Sequence, residues 1–125
     1  MSEFNINAAE IQNCVENMAC VKTLKSFYPE SISRKLGVPL EVTMIELGKL
    51  CEDGKLILKY EIKCLEHMRI LATVDDYEKM LGSHLKCDIC GEEIIIDYSN
   101  IYPVYYISEK YREFVKKNFT KNIKM

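Results

Sequence analysis

Apolar side chains recur at three- and four-residue steps through the first part of this chain and at two-residue steps from Leu56 onward, which predicts helices first and a ribbon of strands after them. Ile11, Val15, Met18 and Val21 place one stripe on a long first helix from Asn7 to Phe27, with Asn7 as its N-cap. Tyr28 to Pro39 then reads as a short helix that stops at Gly37, with Pro39 opening the next one. That third helix runs from Leu40 to about Glu52 and ends at Asp53-Gly54. On a helical wheel Leu40, Thr43, Met44, Leu47, Leu50 and Cys51 form its core side, and Glu41, Val42, Ile45, Glu46, Lys49 and Glu52 form its outer side. A rotated wheel, with Val42 and Ile45 packed on the first helix, is the competing assignment.

From Leu56 the period changes. Leu56, Leu58, Tyr60 and Ile62 share one face of a strand, and Lys55, Lys59, Glu61 and Lys63 occupy the other. Met68 to Val74 reads as the returning strand, Asp76 to Leu81 as a short helix closed by Gly82, and Val104 to Ile107 as a further strand. Ser108 then caps a last helix whose apolar face is Tyr111, Phe114, Val115 and Phe119.

Two of the turns between these strands carry metal-ligand chemistry. Cys64-Leu65-Glu66-His67 is followed, nineteen residues later, by Cys87-Asp88-Ile89-Cys90-Gly91. Donors three positions apart in a tight turn can aim at one point, and two such turns supply the four donors of a closed tetrahedral zinc site. Gly91 suits the sharp turn after the second pair. Four protein donors leave no position for substrate, so the zinc is expected to be structural. His84, three residues before Cys87, is a rival to His67, and the choice between them stays open at this level. A redox reading of Cys87/Cys90 needs a helix start after a strand, whereas this pair lies between strands. Cys14 and Cys20, six residues apart within the first helix, read as small buried side chains.

The runs Ser31-Ile-Ser-Arg-Lys-Leu-Gly-Val38 and Leu47-Gly-Lys-Leu-Cys-Glu-Asp-Gly-Lys-Leu56, followed by a strand, resemble a winged-helix domain over roughly Ala8 to Val74. A winged helix leading into a zinc ribbon resembles in architecture the general transcription factor E family and small bacterial winged-helix/zinc-ribbon regulators. This chain departs from the former in carrying His67 where a cysteine usually stands. The implied fold is α+β: a winged helix-turn-helix over residues 1–63, a zinc ribbon over 64–103, and a strand and helix over 104–125.

Composition narrows the function. The 125 residues are 48% hydrophobic and 29% charged, enough for one or two small cores. No run reaches the ~20 apolar residues of a membrane span, and the start Met1-Ser2-Glu3-Phe4-Asn5 lacks the pattern of a secretion signal, so a cytoplasmic location with reduced cysteines is expected. A formal charge of -2 gives no global field for nucleic acid. The outer side of the third helix, Glu41, Val42, Ile45, Glu46 and Lys49, is too acidic and apolar for a phosphate-lined groove and suits a protein partner or a second copy. Basic residues collect on the strand, at Lys55, Lys59 and Lys63, and on the last helix, at Lys110, Arg112, Lys116, Lys117, Lys121 and Lys124. They supply the second reading, a DNA-binding regulator that contacts phosphate through its wing and tail. With two histidines and no glycine-rich phosphate loop, the sequence assembles no catalytic set and no small-molecule substrate site. A non-enzymatic adaptor or regulatory subunit with structural zinc is the first expectation.

Overall fold

The computed structural model describes residues 5–123, with the side chains from Phe119 onward left out; Phe119, Lys121 and Lys124, expected on the last helix, therefore lie outside what can be described. Four helices, α1 (Ile6–Ala19), α2 (Pro29–Leu36), α3 (Leu40–Glu52) and α4 (Glu109–Ile123), accompany six short strands, β1 (Ser26–Phe27), β2 (Leu56–Cys64), β3 (Arg69–Val74), β4 (His84–Lys86), β5 (Glu93–Ile95) and β6 (Ile101–Ile107). Two single turns of 3-10 helix, Glu78–Met80 and Tyr98–Asn100, complete an α+β fold. One sheet has the order β1-β6-β2-β3, and β4 and β5 form a second, two-stranded one. The chain divides into two compact units. One holds the residues up to Ile57 and again from Tyr105; the other is Leu58–Val104, inserted between them.

The first unit is built as an apolar core. Ile11, Val15 and Ala19 of α1, Ile32 of α2, and Leu47 and Leu50 of α3 are almost wholly buried, and α1 packs on α2, α3 and α4. Gly37 stops α2 in the left-handed region at φ 67°, where a side chain would be strained, and the Val38 N–H closes the turn on the Ser33 carbonyl at 3.2 Å. In the antiparallel β1–β6 pair Phe27 stands opposite Tyr105, their rings stacked 5.8 Å apart.

Several expectations need correction in this unit. The first helix is shorter than Asn7 to Phe27: the Asn5 side chain accepts the Ala8 N–H, so the helix begins at Ile6, and it ends at Ala19. No glycine or proline marks that end. Instead Arg112 of α4, expected among the solvated basic residues, is 3% exposed and donates to the carbonyls of Ala19 (2.9 Å), Val21 (2.6 Å) and Leu24. A cation at the carbonyl end of a helix satisfies groups that the helix itself leaves open. Val21, expected in the apolar stripe, is consequently outside the helix and 49% exposed. On α4 the buried face is Tyr111, Arg112 and Val115, and Phe114 is 62% exposed.

The helical wheel of α3 is turned by about half a residue step from its expected setting. Thr43, Glu46, Leu47 and Leu50 are buried. Glu46, expected on the outer side, is 5% exposed and accepts from the Lys49 ammonium at 3.1 Å. That ion pair gives the buried carboxylate a charged hydrogen-bond partner. Leu40, expected inside, is 40% exposed, and Ile45 is 61% exposed.

In the second unit β2 and β3 form a hairpin with a register shift after Ile62: Ile62 pairs with Ala72 but Lys63 with Ile70, leaving Leu71 as the extra residue of a bulge. Glu61, Ile62, Lys63 and Cys64 are all buried, so the expected alternation of inner and outer positions fails here. Lys63 is not on a solvated face. Its ammonium lies 3.7 Å from the Glu61 carboxylate and 4.9 Å from the centre of the Tyr102 ring, and its carbonyl accepts from the buried Asn100 amide at 2.9 Å. β2 is paired on both edges, by β6 and β3, and the polar side chains buried along it pair with each other.

Candidate metal centre

Each of the two hairpins in the second unit presents its turn. Cys64 ends β2 and pairs with Arg69 at the start of β3. In the second turn the Cys87 N–H donates to the Glu92 carbonyl at 3.0 Å, continuing the β4–β5 ladder in which Lys86 pairs with Glu93. The two turns are therefore equivalent position by position: Cys64 matches Cys87, His67 matches Cys90, Met68 matches Gly91 and Arg69 matches Glu92. Their backbones agree as well. Met68 has φ 52° and Gly91 φ 74°, both left-handed, and among the described residues Met68 is the only non-glycine with positive φ. A methionine accepts a conformation that disfavours side chains only because the turn requires it.

This repetition brings four donor atoms together. The ligand atoms of Cys64, His67, Cys87 and Cys90 all lie within 4.8 Å of one another, close enough to hold a metal ion. The His67 Nδ1 is 3.8 Å from Cys64 Sγ and 3.9 Å from Cys87 Sγ. For metal–sulfur bonds near 2.3 Å and metal–nitrogen bonds near 2.0 Å, tetrahedral ligands lie roughly 3.6 to 3.8 Å apart, so the donors already stand near coordinating distance. Cys64 and Cys87 are buried, Cys90 is half-buried and His67 is exposed. All four candidates from the sequence are thus brought together. The rival His84 is not among them: it lies on β4, 55% exposed, with Nδ1 3.8 Å from the Glu93 carboxylate.

The local electrostatics favour thiolate at one position. Backbone N–H groups of Cys90 and Ile89, together with the Cys90 and Cys64 side chains, outweigh burial and bring the Cys87 thiol down to about 7. At Cys90 the Glu92 N–H acts in the same lowering sense, but burial and the neighbouring Cys87 and Cys64 sulfurs prevail and the thiol is raised. Such crowding of sulfurs is relieved when a cation sits among them.

The sequence did not disclose the clamp across the site. Arg69 meets Asp88 through two bonds of 2.8 Å, Nε to Oδ1 and Nη2 to Oδ2, tying the first turn to the second. Their opposite charges, Arg69 two residues after the first donor pair and Asp88 inside the second, were the available signal. Around the same turns Leu65, Met68, Ile70 and Ile89 are each between 46% and 55% exposed.

The other sequence candidates do not converge with the metal donors. Glu41, Val42, Ile45 and Lys49 lie along the outward side of α3 with Val42 half-buried, while Glu46 is buried. Of the three strand lysines, Lys55 lies 5.7 Å from the centre of the Tyr111 ring, Lys59 lies 3.9 Å from the Asp75 carboxylate, and Lys63 is buried. Among the described residues no helix is long and apolar enough to cross a membrane. No protein-family model, curated protein or solved structure matches the chain.

Proposed function

We propose that this chain is a non-enzymatic adaptor or regulatory subunit, a winged helix carrying a zinc ribbon, that holds a protein partner through the outward side of α3 and the apolar rim of the metal turns. The ion is zinc: three sulfurs and one imidazole are among its usual ligands, and a complete set of four protein donors supports a structural role. The observation that carries the partner assignment is Ile45, a large apolar side chain 61% exposed in the middle of a well-formed helix and flanked by Glu41 and Lys49. Exposed apolar residues on a rigid element, with charges beside them, are the anatomy of a protein interface. The rim of Leu65, Met68 and Ile89 adds a second apolar patch.

The DNA-binding reading keeps the helix-turn-helix outline of α2 and α3 in its favour. It is weaker because the lysine row meant for phosphate is engaged with Tyr111, Asp75, Glu61 and Tyr102. Elemental analysis of the purified chain should return about one zinc per molecule. Ile45→Asp should keep that zinc and the circular dichroism of the parent while abolishing partner association; association undiminished by the charge would remove α3 from the interface. Duplex DNA binding that weakens steeply with salt would return the second reading to first place.

A further inference from the structure

We infer that the partner seated on α3 is a second copy of this chain, packed antiparallel about a twofold axis that passes beside Ile45. This rests on the partner reading above and names the occupant of the same surface. At about 100° per residue, Glu41 and Lys49 lie about 40° to either side of Ile45, each one turn away along the axis. Gly48 and Val42 lie about 60° to either side, each three residues away. The face is therefore arranged symmetrically about Ile45 in position and oppositely in chemistry: an acid matched by a base, a branched side chain by none.

A twofold axis uses that arrangement. Antiparallel packing brings Ile45 against Ile45 of the second copy, Glu41 level with the second copy's Lys49, and Val42 level with its Gly48. Parallel packing would instead bring Glu41 level with Glu41 and Lys49 with Lys49, which like charges oppose. Glu52, one turn beyond Lys49, comes level with residue 38 of the second copy, ahead of the start of its α3 at Leu40. A closed twofold contact is the commonest form of self-association because one patch completes itself.

Gly48 is the independent observation. It stands inside a 13-residue helix, where glycine disfavours the helical state by about 1 kcal/mol relative to alanine. Among the described residues nothing calls for it: its backbone is not left-handed, and an added Cβ would meet no atom within 4 Å. A small residue beside an exposed Ile45, with open space in its own fold, lets another helix approach closely. Lys49 is ready for its role, since its ammonium is held at 3.1 Å by Glu46 beneath and retains further N–H donors for a second carboxylate.

Thirteen residues at ~1.5 Å per residue make a seam about 20 Å long, less than a standard interface, so the dimer should be weak, in the micromolar range. The experiment is sedimentation velocity of the full zinc-loaded chain over a concentration series, beside three variants. The parent should dimerise. Glu41→Lys alone and Lys49→Glu alone each set like charges face to face and should weaken dimerisation about tenfold or more, whereas an equimolar mixture of the two should recover the parental dimer as a heterodimer. Gly48→Leu should raise the thermal midpoint of the monomer and reduce dimerisation, a combination that simple misfolding does not produce. A parent that is monomeric at about 100 μM, or a mixture no better than its components, overturns the second-copy assignment. If that monomer still loses a heterologous partner on Ile45→Asp, the partner reading survives; if it has none to lose, both fail.

Discussion

The two units of this protein are held together by different physics. The first buries Ile11, Val15, Ile32, Leu47, Leu50 and Leu56 beside the stacked Phe27 and Tyr105, an apolar core of ordinary kind. In the second, the buried apolar side chains besides the candidate metal donors Cys64 and Cys87 are only Ile62, Ile96 and Val104, while a charged pair and a buried asparagine take up interior space. A unit of that size with so small a core needs a staple, and the four donors are placed to supply one. Local stability should therefore respond to metal in one unit and to packing in the other.

Removing the metal tests this most severely. Structural zinc contributes on the order of 10 kcal/mol in small domains, so chelation or Cys87→Ser should abolish hydrogen-exchange protection across residues 58–104 while α1, α2 and α3 remain protected. Equal loss in both units would erase the distinction. Acid offers a graded version. A thiol brought down from 9.0 to about 7 favours the folded form in full only above 9.0, and the advantage is lost as pH falls from there through about 7 and protons compete for Cys87. Zinc affinity measured by chelator competition should therefore drop steeply from pH 8 to pH 6.

Lys63→Ala comes next. It leaves the Glu61 carboxylate buried without the ammonium 3.7 Å away and should destabilise the zinc-loaded chain by about 3 to 5 kcal/mol in urea unfolding. A small effect would place both groups in water. The counterpart in the first unit is Arg112→Ala, which withdraws three charge-assisted hydrogen bonds from the chain after α1 and should cost about 3 kcal/mol, independent of zinc. Zinc dependence of that loss would show the two units to be coupled. The smallest effect should be a gain: Met68→Gly relieves the left-handed backbone at φ 52° and should stabilise the zinc-loaded state by about 1 kcal/mol.

Cysteine and histidine spacing, the Gly37 stop, the Pro39 opening and the change of period at Leu56 were readable along the chain because each depends on a few neighbouring residues. Those features determined the existence and type of most elements and three of the four candidate metal donors, the choice of His67 over His84 coming from the folded chain. Two matters depended on residues remote in sequence. Arg112 ends α1 from 93 residues away. The bulge at Leu71 belongs to the pairing of β2 with β3, and Lys63 is buried with Tyr102 over its ammonium and Asn100, 37 residues away, on its carbonyl. The inward side of α3 also departs from its hydrophobic pattern, with Glu46 buried beside Lys49 and Leu40 exposed. Periodicity reports which side chains prefer to leave water; only the folded chain decides which carbonyls need a cation, which polar side chains meet in the interior, and therefore where a charge can be buried.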